Sequence, residues 1–425
     1  MDITLIPSAI QGSVQVPASK SQTIRALLIA LFASQPSTIR HPLYSSDTRS
    51  AIAACRALGA EVDESEQKII LTPPSSFPST VEIDCANSGT TLYLLAAMIA
   101  ATDTRATFTG DEQLKRRPVG PLAEALVSLG ASVEYQGEPG YPPCTVQGPI
   151  TGGEVTMYCH TSQYLSGILL SSVMSSSPVH ITVPLLNEIP YVRMTIAWLE
   201  KQGHKVSYCE NLSSIDVAGG DTYHAFDEKI AGDFSSASFF FCAAAVTRSP
   251  LTVEGLDRDD PQGDKEVLAI LEEMGCSVIW KDDCVTVSIE PEKSLRGGTF
   301  DLNAIPDALP VLAVTAAFAE GTTVLTNVPQ ARIKETDRIA TMRANLEVLG
   351  VKVEEREDAL IVHGRGRVHG GIVQGYDDHR VIMAMAIASL AAQDSVTIQG
   401  IEAVEVTFPT FFTLLTSITK EKEND

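Results

Sequence analysis

Seven short polar clusters stand directly ahead of apolar, helix-like segments, and their residue types suit anion binding and acid–base chemistry. The first, PASKSQTIRALLIALFA, puts Lys20 and Ser21 at a helix start, with Arg25 four residues after Ser21 on the same face. A helix N-terminus carries free N–H groups and a partial positive charge, so it attracts anions. A cation added there opposes the dipole and points to a phosphate or carboxylate ligand. The second, CANSGTTLYLLAAMIA, offers Asn87, Ser88, Gly89 and Thr90, a start small enough for backbone to approach a ligand. The third, DEQLKRRPVGPLAEAL, places Lys115, Arg116 and Arg117 before Pro118, a suitable first helical residue. The fourth, CHTSQYLSGILLSS, has Thr161, Ser162 and Gln163, and the fifth, IPDALPVLAVTAAFA, has Asp307. The sixth, ARIKETDRIATMRANLEVLG, crowds Arg332, Lys334, Glu335, Asp337 and Arg338 at one helix start, with Lys334 and Arg338 at i,i+4. The seventh, GYDDHRVIMAMAIASL, carries Asp377, Asp378, His379 and Arg380.

Taken singly, each cluster also reads as an ordinary helix cap or a solvated surface. Taken together, helices bearing such groups can converge on one cleft that is cationic inside an acidic chain. That implies a small, multiply charged anion held through phosphate and carboxylate groups. No GxxxxGK[ST] loop and no strand–GxGxxG–helix unit is present, and GRGRVHGG from Gly364 lacks the required spacing. A nucleotide-driven or NAD-linked enzyme is therefore disfavoured.

The elements that must position these residues recur. A helix, a glycine and a strand appear as RALGAEV around Gly59, LVSLGASV around Gly130, LEKQGHKV around Gly203, LEEMGCSV around Gly275 and LEVLGVKV around Gly350, at intervals of 71, 73, 72 and 75 residues. Apolar residues at helical spacing end at a glycine able to adopt the left-handed C-cap conformation. Alternating runs such as VIWKDDCVTVSI and VEEREDALIVHG then read as hairpins packed beside the helix. The period is too long for a solenoid of short repeats. It fits six copies, the last lacking its glycine near FPTFFTLLTSI and completed by the N-terminal strand ITLIP. Periodicity alone does not choose between one ring of six and two groups of three.

Length and charge narrow the classes. The chain has 425 residues, 44% hydrophobic and 20% charged, and a net charge of −22. Such acidity disfavours nucleic-acid and anionic-membrane partners. No apolar run reaches membrane-spanning length. The N-terminus resembles neither a secretory signal nor a transit peptide, so a cytoplasmic location is expected. The eight cysteines form no CxxC pair, and the histidines show no ligand spacing. Reduced, buried thiols are expected, with no metal and no cofactor.

The ordered set Lys20-Ser21…Arg25, Asn87-Ser88-Gly89-Thr90, Arg117-Pro118, Ser162-Gln163, GDFSSASFF at Gly232, Asp307, KETDR at Lys334, Asp378-His379-Arg380 and Phe408-Pro409 resembles the 5-enolpyruvylshikimate-3-phosphate synthase family over essentially the whole chain. The resemblance implies an α/β, two-domain, inside-out barrel-like fold of six repeated units of parallel helices and mixed sheet, three per domain. It places one domain at 20–231 and a discontinuous one at 1–19 plus 232–425, with the active site in the interdomain cleft. The implied reaction transfers the enolpyruvyl group of phosphoenolpyruvate to the 5-hydroxyl of shikimate 3-phosphate, in chorismate and aromatic amino acid biosynthesis. By matching positions, Asp307 is the implied base at the acceptor hydroxyl, Glu335 the proton donor and acceptor at C3, and Lys20 touches both substrates. Ser21, Arg25, Thr161, Ser162, Gln163, Tyr191, Gln330 and Lys334 join Lys20 and Asp307 around shikimate 3-phosphate. Asn87, Gly89, Arg117, Gln163, Arg338, His379 and Arg380 join Lys20 around phosphoenolpyruvate. The family implies a monomer.

Three positions depart from the family pattern. Tyr93 stands for the Arg of NxGTxxR, Glu188 for the Ser of SxPY, and Val406 for the Lys of KTFP. Two cations are lost and an anion is gained near a phosphate site. A charge-assisted hydrogen bond contributes about 1.5–3 kcal/mol, so weaker binding of phosphoenolpyruvate, and of its competitor glyphosate, is expected unless Lys115 or Arg116 compensates. The competing readings are a homologue that binds acceptor without turnover, and the sister enzyme acting on UDP-N-acetylglucosamine. The latter typically has Lys-Asn at Lys20-Ser21 and lacks KETDR.

Overall fold

The computed structural model describes residues 1–290 and 292–420. They form two compact units: Ala18–Ala231, and Met1–Pro17 together with the described residues from Gly232 onward. Twelve helices are described: α1 Lys20–Leu31, α2 Ser46–Ala57, α3 Gly89–Ile99, α4 Gly120–Ser128, α5 Ser162–Ser172, α6 Ile189–Lys201, α7 Phe234–Thr247, α8 Glu266–Glu273, α9 Leu309–Ala317, α10 Arg338–Val348, α11 His379–Ala391 and α12 Phe411–Ile418.

The helices alternate in character. Odd-numbered ones are mostly small and apolar beyond their first turns and are buried along almost their entire length. A helix with no polar face has to be enclosed, and these pack against one another at the centre of each unit: α3 against α1 and α5, α11 against α7 and α9. Even-numbered helices bury one stripe, as α8 does with Val267, Leu268, Ile270 and Leu271. Five of them run into the repeated glycines, all with positive φ between 80° and 109°. The left-handed cap turns the chain back into the next strand.

Among the described residues, six sheets of three or four strands enclose these helices, three in each unit, and a further two-stranded sheet pairs Ala9–Ile10 with Thr419–Lys420. Each of the six has one parallel pair followed by antiparallel partners. In one sheet Thr80–Asp84 pairs parallel with Arg105–Thr109, which pairs antiparallel with Cys144–Gln147, and that strand with Ser132–Tyr135. A parallel pair needs a crossover, and α3 supplies it. α5, α9 and α11 do the same between Gly153–Cys159 and Val179–Leu186, Thr299–Asp301 and Glu320–Thr326, and Gly371–Gln374 and Val396–Gln399. Their N-termini therefore emerge just past the C-terminal end of a parallel strand, where clusters of short polar residues sit. The last sheet has three strands, and Asp2–Leu5 closes it antiparallel against Val396–Gln399. The α/β, repeat-built class expected from the sequence is the one observed. All eight thiols are free, but Cys209 is exposed and Cys284 partly exposed, so the expectation of burial holds for the other six.

Two helix starts differ from the sequence reading. Lys334 lies in a bend after the 3-10 turn Pro329–Ile333, and α10 begins at Arg338 with Asp337 as N-cap, so Lys334 and Arg338 are not a helical i,i+4 pair. The local Asp337 cap accepts from Ala340 N and stops the helix from reaching Lys334. Likewise α4 begins at Gly120, and Pro121 rather than Pro118 occupies its first turn.

The cap glycines yield a stability prediction. At Gly203 (φ +85°) an added Cβ meets nothing within 4 Å, so Gly203→Ala isolates backbone strain. It should lower stability by about 1–2 kcal/mol. At Gly350 the same change also meets the His369 ring, so its cost should be larger. Urea midpoints of both variants measure this, and an unchanged midpoint for Gly203→Ala contradicts the cap assignment.

Candidate active site

In the unit that contains Gly232 onward, the site is organised by a cation. Arg338, the first residue of α10, is fully buried. Its Nε and Nη2 donate to Asp378 at 2.8 and 3.3 Å, Nη2 also to Glu335 Oε2 at 2.6 Å, and Nη1 to Asp307 Oδ1 at 2.7 Å. Arg380 Nη2 lies 3.2 Å from Asp307 Oδ2, and Lys334 Nζ lies 3.9 Å from Asp307 Oδ1. Burial alone works against the charge on Arg338, but Asp378, Glu335 and Asp307 outweigh it and raise its pKa. Burial likewise works against the Asp307 carboxylate, yet Arg380, Lys334 and Arg338 hold it well below the usual range. Asp307 sits in the 3-10 turn Pro306–Ala308 and faces these cations instead of capping α9, whose N-cap is Ala308.

Asp378 has two tasks. It caps α11 by accepting from Arg380 N at 2.8 Å, and it carries the buried end of Arg338. His379, next in the chain, is buried, and its Nε2 has no hydrogen-bond partner. Gln330 is buried, with Nε2 donating to Asn303 O at 2.9 Å and Oε1 unpartnered. Val406 closes the short turn Glu402–Val406, just before buried Thr407 and Phe408.

In the other unit, Lys20 opens α1 and pairs with Asp47 Oδ2 at 3.0 Å. Arg25 is buried and joins three helices. It donates to Ser21 O at 3.0 Å on its own helix, to Thr195 Oγ1 at 2.9 Å and Tyr191 O at 3.2 Å on α6, and to Ser166 Oγ at 3.5 Å on α5. Burial lowers its pKa to about 10, still protonated at neutral pH. Thr161 caps α5, and Ser162 opens it. Gln163 Nε2 donates to Thr90 Oγ1 at 3.1 Å, tying α5 to the start of α3. Gly89 begins α3, where a Cβ would stand 3.0 Å from Arg117 Nη1 and 3.4 Å from Gln163 Oε1. Arg117 Nη2 donates to Asn87 Oδ1 at 3.0 Å, and Asn87 Nδ2 donates to Asp111 and Gln113. Gly89, Asn87, Arg117 and Gln163 thus share one corner. Of the three adjacent cations expected to act together, Lys115 pairs with Glu112 at 3.1 Å and Arg116 is exposed, while Arg117 joins the corner.

Both clusters gather cations and hydroxyls at the starts of buried helices. A sequence profile of the family described as "EPSP synthase (3-phosphoshikimate 1-carboxyvinyltransferase)" matches residues 5–415. The chain belongs to the EPSP synthase family. It is 42% identical to the 3-phosphoshikimate 1-carboxyvinyltransferase of Ruminiclostridium cellulolyticum over 406 residues, 95% of each chain. It is 43% identical to that of Acetivibrio thermocellus over 410 residues, 96% of each. A solved EPSP synthase structure from Acinetobacter baumannii superposes with a TM-score of 0.83 at 26% identity, covering 98% of both chains.

Within this EPSP synthase framework, two of the departures have a structural account. Tyr93 is buried, its hydroxyl donates to Pro118 O at 3.1 Å, and its ring meets Tyr164 edge-on at 5.2 Å. Tyr164 donates to the same carbonyl at 2.7 Å. The pair anchors the residue beside Arg117 and supplies no cation. Glu188, ahead of α6, is buried and bonds to the start of α5. Sequence reasoning put Asp378 in the seventh cluster without a role of its own and did not single out Asp47 or Thr195. Among the described residues no group of three or more His, Cys, Asp or Glu side chains is placed to hold a metal, and no helix is long and apolar enough to cross a membrane.

Burial makes His379 an acid-sensitive point, lowering its pKa from 6.5 to about 3. The unfolded chain takes up this proton more readily. The stability gained from the neutral imidazole is therefore full above 6.5 and shrinks as pH falls toward 3. His379→Gln should flatten the decline in urea midpoint between about pH 6.5 and pH 4. Equal slopes for both proteins would show that the imidazole is not held neutral by the fold.

Proposed function

We propose that this chain acts as a 3-phosphoshikimate 1-carboxyvinyltransferase, moving the enolpyruvyl group of phosphoenolpyruvate to the 5-hydroxyl of shikimate 3-phosphate and releasing phosphate. The observation that carries the assignment of roles is the buried Arg338, which gathers Asp307, Glu335 and Asp378 while Arg380 and Lys334 approach Asp307. Two carboxylates held beside three cations are the equipment for proton transfer next to a bound anion.

The acceptor hydroxyl adds to C2 of phosphoenolpyruvate and passes its proton to Asp307, while Glu335 delivers a proton to C3. The tetrahedral intermediate then loses phosphate, and Glu335 takes a C3 proton back. Asp307 paired as it is would be a weak base. A substrate carboxylate or phosphate that engages Arg338 and Arg380 withdraws these counter-ions from Asp307 and Glu335, which raises their basicity as the reactants arrive. His379 stays neutral in this role. Lys20, positioned by Asp47, serves both substrates. Ser21, Arg25, Thr161, Ser162, Tyr191, Gln330 and Lys334 serve the acceptor; Asn87, Gly89, Arg117 and Gln163 serve phosphoenolpyruvate. Tyr93 and Val406 add no cation there, which supports weak phosphoenolpyruvate and glyphosate binding. We place the enzyme in the cytoplasm as a monomer. No observation favours UDP-N-acetylglucosamine as acceptor or a loss of turnover.

Phosphate release from phosphoenolpyruvate tests the assignment. It should require shikimate 3-phosphate and not proceed with UDP-N-acetylglucosamine. Glu335→Gln should slow it by about 10²–10⁴-fold, the scale of general acid–base catalysis. Release within a few-fold of wild type would remove Glu335 from the chemistry.

A further inference from the structure

The start of α5 already holds an anion. Glu188 lies immediately ahead of α6 in the left-handed region (φ +60°) and is 2% exposed. That conformation is uncommon for a residue other than Gly, Asn or Asp. Its carboxylate does not cap its own helix. It reaches across to α5, where Oε2 accepts from Thr161 Oγ1 at 3.1 Å, Ser162 N at 3.0 Å and Ser162 Oγ at 2.7 Å. The free N–H and partial positive charge of a helix start stabilise a carboxylate there as they stabilise a phosphate.

Thr161 and Ser162 are among the groups proposed above to serve shikimate 3-phosphate, and hydroxyls and an N–H at a helix start suit its phosphate, so this inference rests on that reading. Each of the three donors has a single hydrogen. While all three point at Glu188 Oε2, none serves a phosphate oxygen, and a phosphate placed beside the carboxylate meets like charge. We propose that Glu188 is an internal competitor for the acceptor's phosphate: shikimate 3-phosphate binds as the carboxylate gives up Thr161 and Ser162, and Glu188 thereby sets acceptor affinity. A residue that merely capped α5 would have the opposite effect when its charge was removed.

The experiment is a calorimetric titration of the full chain with shikimate 3-phosphate, alongside KM for each substrate. Glu188→Gln keeps the shape and an acceptor oxygen but removes the charge. It should tighten acceptor binding about tenfold or more, the scale of one charge-assisted contact, and lower KM for shikimate 3-phosphate while leaving KM for phosphoenolpyruvate within about twofold. Adding Ser162→Ala to that variant should cancel the gain. Glu188→Ser carries the same expectation and keeps the test open if Glu188→Gln does not fold. Unchanged or weaker acceptor binding in a folded variant overturns the proposal. If wild type and variants are folded yet neither bind shikimate 3-phosphate nor release phosphate with it, the acceptor assignment falls and the inference with it.

Discussion

A guanidinium with no exposure to solvent needs a partner for each of its donors, and Arg338 meets three carboxylates, Asp307, Glu335 and Asp378. Desolvating a single ion costs several kcal/mol, and removing one partner of a buried pair costs about 3–5 kcal/mol because the other is stranded. The three carboxylates come from a 3-10 turn, a bend and a helix N-cap that are far apart in sequence. Satisfying Arg338 therefore fixes the relative positions of α9, α10 and α11 at their starts. The same contacts, with Arg380 and Lys334, hold the Asp307 carboxylate ionised. Structural necessity and the proposed catalytic equipment coincide at one side chain.

The other unit uses a parallel device on a different cation. Arg25 is fastened by hydroxyls and carbonyls, not carboxylates. These partners are uncharged, in contrast to the carboxylates around Arg338. Both arrangements depend on the repeated crossover, which delivers the N-terminus of an enclosed helix just past the end of a parallel strand. An acidic chain of net charge −22 thus concentrates cations at helix starts in each unit.

Much of this was legible in the residues. The glycines near every seventy-second position marked five helix ends, because only a left-handed cap lets those helices turn directly into strands. Lys20, Gly89, Ser162 and His379 were legible as helix starts because a polar cluster met an apolar run. Pro118 and Lys334 misled, since a 3-10 turn and a local Asp337 cap moved the true starts downstream. The pairings of Lys20 with Asp47, Arg25 with Thr195 and Glu188 with Ser162 were not legible: they span 27, 170 and 26 residues, and no local pattern encodes them. The departure at Glu188 was visible, but its hydrogen bonds were a matter of tertiary geometry.

The central claim, that Arg338 organises both the fold and the anion chemistry of its unit, is tested most directly by phosphoenolpyruvate binding to Arg338→Lys in the presence of shikimate 3-phosphate. Lys keeps the charge but cannot serve three carboxylates in the planar, forked geometry of Arg. The account predicts a folded protein that still binds shikimate 3-phosphate and has lost about a hundredfold or more in phosphoenolpyruvate affinity, the equivalent of one or two charge-assisted bonds. Wild-type affinity for phosphoenolpyruvate in that variant would contradict it.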